Sequence, residues 1–200
     1  MQKMIIFDLM GCIFKTPHII KNILYPLMEE RIIYSELKKI YLKYSNGELT
    51  REEFLRTVPL DIEEKFLDKI ELDDNAKEIF DYLKGKGYSM GVLSNIPDHI
   101  GNYVVKENKI ETYFKVMVFS GTYGLRKPNE ALYKVFLEKS GADPKNCFFI
   151  DDKLKNLKTA RDLGIKTIWK RIEKSNLFSI RNFKPDFTIT SLLELKKILV

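Results

Sequence analysis

Four short stretches carry side chains suited to chemistry. The first is residues 4–14, Met-Ile-Ile-Phe-Asp-Leu-Met-Gly-Cys-Ile-Phe, an apolar run that stops at Asp8. In the second, Val92-Leu93 runs into Ser94-Asn95. The third is Arg126-Lys127-Pro128, and in the fourth Phe148-Phe149-Ile150 ends in Asp151-Asp152. Each has an architectural reading. Asp8 can close a turn, and Ser94 can cap a helix near Asp98. Pro128 suits a first helical position, and Asp152 suits the N-cap of a helix at Lys153. Gathered at one place, they do more. Three carboxylates repel one another unless a cation sits among them, and oxygen ligands of this kind suit Mg²⁺. Lys127 and Ser94, with backbone N–H groups at helix starts, suit a phosphoryl group. A carboxylate such as Asp8 can act as a nucleophile.

A parallel sheet would bring these stretches together, because its strands end along one edge. The pattern supports one. Short apolar runs at 4–7, 88–93, 115–119, 147–150, 165–169 and 186–190 alternate with helical periodicity from residue 73 onward. Ala76, Ile79, Phe80 and Leu83 mark one helical face, closed by Gly85 and Gly87. Helices are also expected at 98–108, from Pro128, at 153–163 and after Ser191, where Ser191 and Glu194 form a capping box. The expected fold is α/β, a Rossmann-like parallel sheet with helices on both faces. Residues 15–72 read differently. They carry helical spacing (Ile20, Ile23, Leu24, Leu27; Leu37, Ile40, Tyr41; Phe66, Leu67, Ile70) and no strand. Thr50 with Glu53 opens a helix there. The division is therefore a core domain of 1–14 and 73–200 with an all-helical insert at 15–72. The basic stretch 170–185 has no clear assignment.

The 200 residues can bury a real core, and their composition is that of an ordinary globular chain. No apolar run reaches the ~18 residues of a membrane span, and no signal peptide is expected. Two cysteines, Cys12 and Cys147, make neither a disulfide framework nor a zinc site, which points to a reducing cytoplasmic setting. The net charge of +6 is scattered among acidic residues, and no nucleic-acid motif is present. A phosphorylated substrate would gain from the positive field. Oligomeric state is left open.

The order Asp8-Leu9-Met10-Gly11, Ser94-Asn95, Lys127-Pro128, Asp151-Asp152 resembles the four motifs of the haloacid dehalogenase superfamily. The resemblance covers essentially the whole chain, with the helical insert in the place of the family's cap domain. It implies that Asp8 is the nucleophile and that Ser94, Asn95 and Lys127 hold the substrate's phosphoryl group. It also implies that Asp8, Asp151, Asp152 and the Met10 carbonyl hold Mg²⁺. The expected activity is hydrolysis of a small phosphorylated metabolite through an aspartyl phosphate.

Met10 departs from the family's phosphatases, which carry a second Asp there as general acid and base. Such catalysis typically gives ~10²–10⁴-fold. A catalytically impaired phosphate-binding or regulatory homologue is the alternative reading. Dehalogenases of the family lack the Asp pair that this chain has. Phosphonate hydrolases use a cap lysine, and Lys21, Lys38, Lys39 and Lys43 are read as solvated. His18 is read as surface, and Cys12 and Trp169 as packing.

Overall fold

The computed structural model describes residues 3–29, 31–172 and 183–200; within the basic stretch, 173–182 lie outside the described residues. Strand β1 (Met4–Phe7) is apolar and buried at all four positions. Successive side chains of a strand point to opposite faces. Accordingly Ile5 and Phe7 join one hydrophobic cluster, and Met4 and Ile6 join another. A strand buried on both faces needs this unbroken apolar run.

The chain then leaves the sheet. A π-helical segment, Ile20–Leu24, leads to α1 (Tyr25–Leu27), α2 (Tyr34–Ser45), α3 (Arg51–Leu55) and α4 (Leu60–Asp68). The capping box is formed: Thr50 Oγ1 accepts from the Glu53 N–H, and the Glu53 carboxylate accepts from the Thr50 N–H. Leu37 and Tyr41 of α2, Phe54 of α3, and Ile62 and Phe66 of α4 turn inward and continue the first cluster. Helices this short hold their shape through such packing. Entry and exit of the insert are tied together. The Lys15 N–H donates to Glu71 O and the Asp73 N–H to Ile13 O, each at 2.9 Å.

After α5 (Ala76–Gly85) come β2 (Ser89–Ser94), α6 (Asp98–Glu107), β3 (Phe114–Phe119), α7 (Ser120–Tyr123), α8 (Glu130–Ser140) and β4 (Cys147–Asp151). Then follow α9 (Leu154–Asp162), β5 (Lys166–Lys170), β6 (Phe187–Ile189) and α10 (Leu195–Ile198). The six strands form one parallel sheet in the order β3-β2-β1-β4-β5-β6. Residues of α5, α6 and α10 pack in the first cluster, and those of α8 and α9 in the second, so helices cover both faces. Strand order reverses between β1 and β4, where open α/β sheets place their ligands.

Two local expectations change. Pro128 does not start a helix; it follows a cis bond from Lys127, and α8 begins at Glu130 with the Asn129 side chain capping Ala131 N–H. The capping box at Ser191 opens a 3₁₀ turn, Leu192–Glu194, before α10. Among the described residues no helix is long and apolar enough to cross a membrane.

Candidate active site

Asp8 stands directly after β1, in the middle of the sheet. Its N–H donates to Ile150 O at 2.9 Å, which continues the pairing with β4. Its carboxylate is used unevenly. Oδ1 accepts from the Leu9 N–H at 2.8 Å and from Ser94 Oγ at 2.7 Å, and Lys127 Nζ lies 3.0 Å away. Among the described residues no hydrogen bond reaches Oδ2. Ser94 therefore does not cap α6, whose N-cap is Pro97.

Lys127 is fully buried. Its Nζ bridges Asp8 and Asp151 Oδ2, at 2.7 Å from the latter, and donates to Leu93 O at 2.8 Å. Burial works against the ammonium charge, but Asp151 and Asp8 outweigh it and lift the pKa to about 12. All three donors of a lysine have partners here, which a buried charge requires. Asn95 lines the same cavity, and its side-chain amide pairs with Lys127: Nδ2 donates to Lys127 O and Oδ1 accepts from Lys127 N–H. This fixes the backbone that aims the lysine.

Asp151 ends β4 and is held by groups the spacing did not single out. Asn156 Nδ2 donates to both carboxylate oxygens, at 3.0 and 2.9 Å, and the Lys153 N–H donates to Oδ1 at 2.7 Å. Asn156 is five residues on, in the first turn of α9, so its i+5 spacing was the available signal. The N-cap of α9 is Lys153, not Asp152. Asp152 instead turns to the acidic group, and its backbone carbonyl accepts from Trp169 Nε1 at 3.1 Å. Trp169 is core, as expected, yet its indole N–H also positions the acidic pair.

Asp8, Asp151 and Asp152 offer carboxylate oxygens that all lie within 4.8 Å of one another. Burial raises the pKa of Asp151, against the pull of Lys127. Burial also raises Asp152, to about 7, with Lys153 opposing and Asp151 and Asp8 adding. Among the described residues Asp152 Oδ1 is buried without a hydrogen-bond partner, and the Lys153 ammonium lies 3.7 Å away. An orphaned carboxylate oxygen beside two more carboxylates fits a hard divalent cation with oxygen ligands. Gly11 permits this crowding. It has φ +78°, and a Cβ there would meet Pro17 and Asp152 Oδ2.

A cavity of about 450 Å³ opens over these residues. Asp8, Met10, Ser94, Asn95, Lys127 and Asn156 line it from the sheet side. Lys38, Tyr41, Leu42 and Ser45, at helical spacing on α2, line it from the insert. Lys21 and His18 also face it. Lys21 and Lys38 line the cavity but are exposed, so the solvated reading holds for them as well. Lys39 and Lys43 are exposed and stay with the solvated reading. Cys12 is buried, and burial raises its thiol pKa, which keeps it an inert packing residue.

Fold and site define a Rossmann-like hydrolase with an inserted helical unit and an acidic cluster at its strand ends. Residues 5–170 match the haloacid dehalogenase-like hydrolase family, and the chain belongs to it. Among curated relatives it is 26% identical, over 118 residues, to a phosphoglycolate phosphatase of Nitrosococcus oceani, a match covering 59% of this chain and 52% of that one. The chain spans about half the length of the curated relatives it matches. Among solved structures it resembles the HAD phosphatase of Thermococcus onnurineus (TM-score 0.72, 19% identity, 99% of this chain and 98% of that chain). It also resembles a HAD family enzyme of Bacteroides thetaiotaomicron in complex with magnesium and inorganic phosphate (TM-score 0.70, 24% identity, 90% and 100%). These structural likenesses concern the fold.

Proposed function

We propose that this hydrolase is a Mg²⁺-dependent phosphatase acting on a small phosphorylated metabolite through an aspartyl phosphate on Asp8. The observation that carries the reading is the uneven use of Asp8. One oxygen is pinned by Leu9, Ser94 and Lys127, which leaves Oδ2 as the attacking atom. The phosphatase names of the relatives support the substrate class.

Oδ2 forms the bond to phosphorus as the bond from phosphorus to the leaving oxygen breaks. Lys127 stays protonated and faces the negative charge of the phosphoryl group. The Ser94 hydroxyl, released from Asp8, donates to a phosphoryl oxygen. Water then attacks phosphorus, freeing Asp8 and inorganic phosphate, and its proton passes to solvent. Asp8, Asp151, Asp152 and the Met10 carbonyl would hold Mg²⁺, which when bound offsets the charge of the carboxylates and the phosphoryl oxygens. The insert 15–72 serves as a cap over the site, and its tied ends at 13–15 and 71–73 are the hinge. A reducing cytoplasmic setting goes with this reading, since both cysteines are free and buried.

One observation favours a second reading. Met10 lines the cavity where a proton-transfer group would act, and a thioether cannot exchange a proton. A site that binds phosphate with little turnover is the result. A phosphatase panel with and without Mg²⁺, run beside Asp8→Asn, separates the two. Mg²⁺-dependent release of phosphate that Asp8→Asn abolishes supports the enzyme. Phosphate binding without release supports the second reading.

A further inference from the structure

The cavity wall built by α2 carries a second set of donors that hydrolysis of a phosphoryl group does not use. Arg126 directly precedes Lys127, but the two side chains go to different places. Lys127 reaches the carboxylates, whereas the Arg126 guanidinium reaches the end of α2, with Nη1 at 3.4 Å from Ser45 Oγ and 3.3 Å from Asn46 Oδ1. Both contacts are long and to neutral atoms. Among the described residues no carboxylate lies within ion-pair distance of Arg126; Glu48 acts on it from further off and is itself bound by Asn46 Nδ2. A guanidinium has five donors, so most of this one's capacity is open.

Tyr41 is the second observation. It is only 4% exposed, it lines the cavity, and among the described residues its buried hydroxyl has no hydrogen-bond partner. Its ring packs edge-on against Phe54, so the hydroxyl is held in place rather than free to swing out. Arg126 meets α2 at Ser45, one turn beyond Tyr41, and both line the same cavity. A buried, unpartnered hydroxyl costs stability unless something else satisfies it. Lys38, one turn earlier on the same face of α2, adds positive potential.

We propose that Arg126 and Tyr41 bind a second oxyanion of the substrate, a carboxylate or a second phosphate, while its phosphoryl group sits at Asp8. The site thereby selects small phosphomonoesters with an acidic far end. Arg126 supplies a planar fork matched to either group, and Tyr41 adds a donor from the cap, so the acidic end also ties cap to core. This subsite rests on the phosphatase reading for its partner at Asp8, but its own ligand is a separate claim.

The test compares phosphoglycolate, ethylene glycol bisphosphate and glycolamide phosphate, whose far end is a neutral amide, on wild type, Arg126→Gln and Tyr41→Phe. Wild-type kcat/KM should favour one or both acidic substrates over the amide by ~10-fold or more. The preferred acidic substrate tells carboxylate from phosphate. Arg126→Gln should bring that ratio to within about twofold, and Tyr41→Phe, which keeps the ring packing, should lower it ~3–10-fold. No acidic preference in wild type, or equal losses on all substrates in both variants, overturns the proposal, because the pair then only braces the insert. Calorimetry of phosphonoacetate against methylphosphonate in the presence of Mg²⁺ needs no turnover. If nothing is hydrolysed yet phosphonoacetate binds more tightly and Arg126→Gln removes the difference, the phosphatase reading fails and the subsite stands. If the two bind alike, the subsite fails whatever the turnover.

Discussion

The Lys127 ammonium lies 3.0 Å from Asp8 Oδ1, completely shielded from solvent. That contact joins a loop before α8 to the end of β1, and Asp151 at 2.7 Å draws in β4 as well. One cation thus holds three separate segments at the strand ends. Removing it would leave two buried carboxylates without their ion-pair partner. Lys127→Met should therefore destabilise the metal-free protein by about 3–5 kcal/mol, as breaking a buried ion pair does. It should also remove phosphatase activity. Denaturant melts in chelator measure the first effect, and a loss under about 1 kcal/mol would show that the carboxylates do not depend on Lys127.

Asp152 gives a pH dependence. Its pKa is raised from 3.8 to about 7 on folding, so the folded state keeps the proton longer than the unfolded chain. For an acid shifted this way, the contribution is neutral below pH 3.8 and becomes increasingly unfavourable as pH rises to about 7. Metal-free wild type should lose stability across that window more steeply than Asp152→Asn. Mg²⁺ added at pH 8 should stabilise wild type and do so less in the variant. Parallel stability profiles for the two proteins would contradict the assignment.

On the proposed mechanism, Met10 leads to an expected leaving-group preference. Without a general acid the leaving oxygen departs as an anion, so acyl and aryl phosphates should be cleaved in preference to alkyl phosphates. The phosphoenzyme on Asp8 should form faster than it decays. Met10→Asp should raise turnover on alkyl phosphates ~10²-fold or more. Steady-state kinetics on matched substrates, with mass spectrometry for the trapped phosphoenzyme, decide this. A folded Met10→Asp protein with unchanged rates would mean that proton transfer is not what limits the site.

Trp169 tests the support of the acidic pair. Trp169→Phe removes the Nε1 donor to Asp152 O and keeps most of the apolar packing. Partners that orient a metal ligand typically matter by ~10–100-fold in affinity. Mg²⁺ affinity, read by calorimetry, should fall by about tenfold. Affinity equal to wild type would remove Trp169 from any positioning role.

Closure of the insert can be probed at Gly47. It adopts φ +71°, and a Cβ would overlap the Gly121 carbonyl oxygen on the core side. Gly47→Ala should hold the insert slightly open and lower kcat/KM by ~10-fold or more. Hydrogen exchange at α2 should rise in parallel. If activity falls with no change in exchange, strain within the turn is the cause.

Much of this protein could be read from the order of its residues. The apolar runs before Asp8, Ser94 and Asp151 mark strands, because a strand buried on both faces must be apolar throughout. Thr50 with Glu53, and Ser191 with Glu194, cap where expected because capping is decided within four residues. Asp8, Ser94, Lys127, Asp151 and Asp152 share a sheet edge because parallel strands all end there. Tertiary structure decided the rest. The local pattern allowed Ser94 to be a cap, and only the pairing of β1 with β2 brings its hydroxyl to Asp8. Tyr41 has the spacing of a core residue; that it lines the cavity, with a buried hydroxyl near the loop of Arg126, depends on how α2 docks over that loop more than eighty residues away. Trp169 and Asn156 are likewise ordinary helix and strand residues in sequence, and gain a part in the site through contacts with Asp152 and Asp151. Short-range signals come from steric and hydrogen-bonding rules along the chain, whereas these contacts form only when distant segments pack.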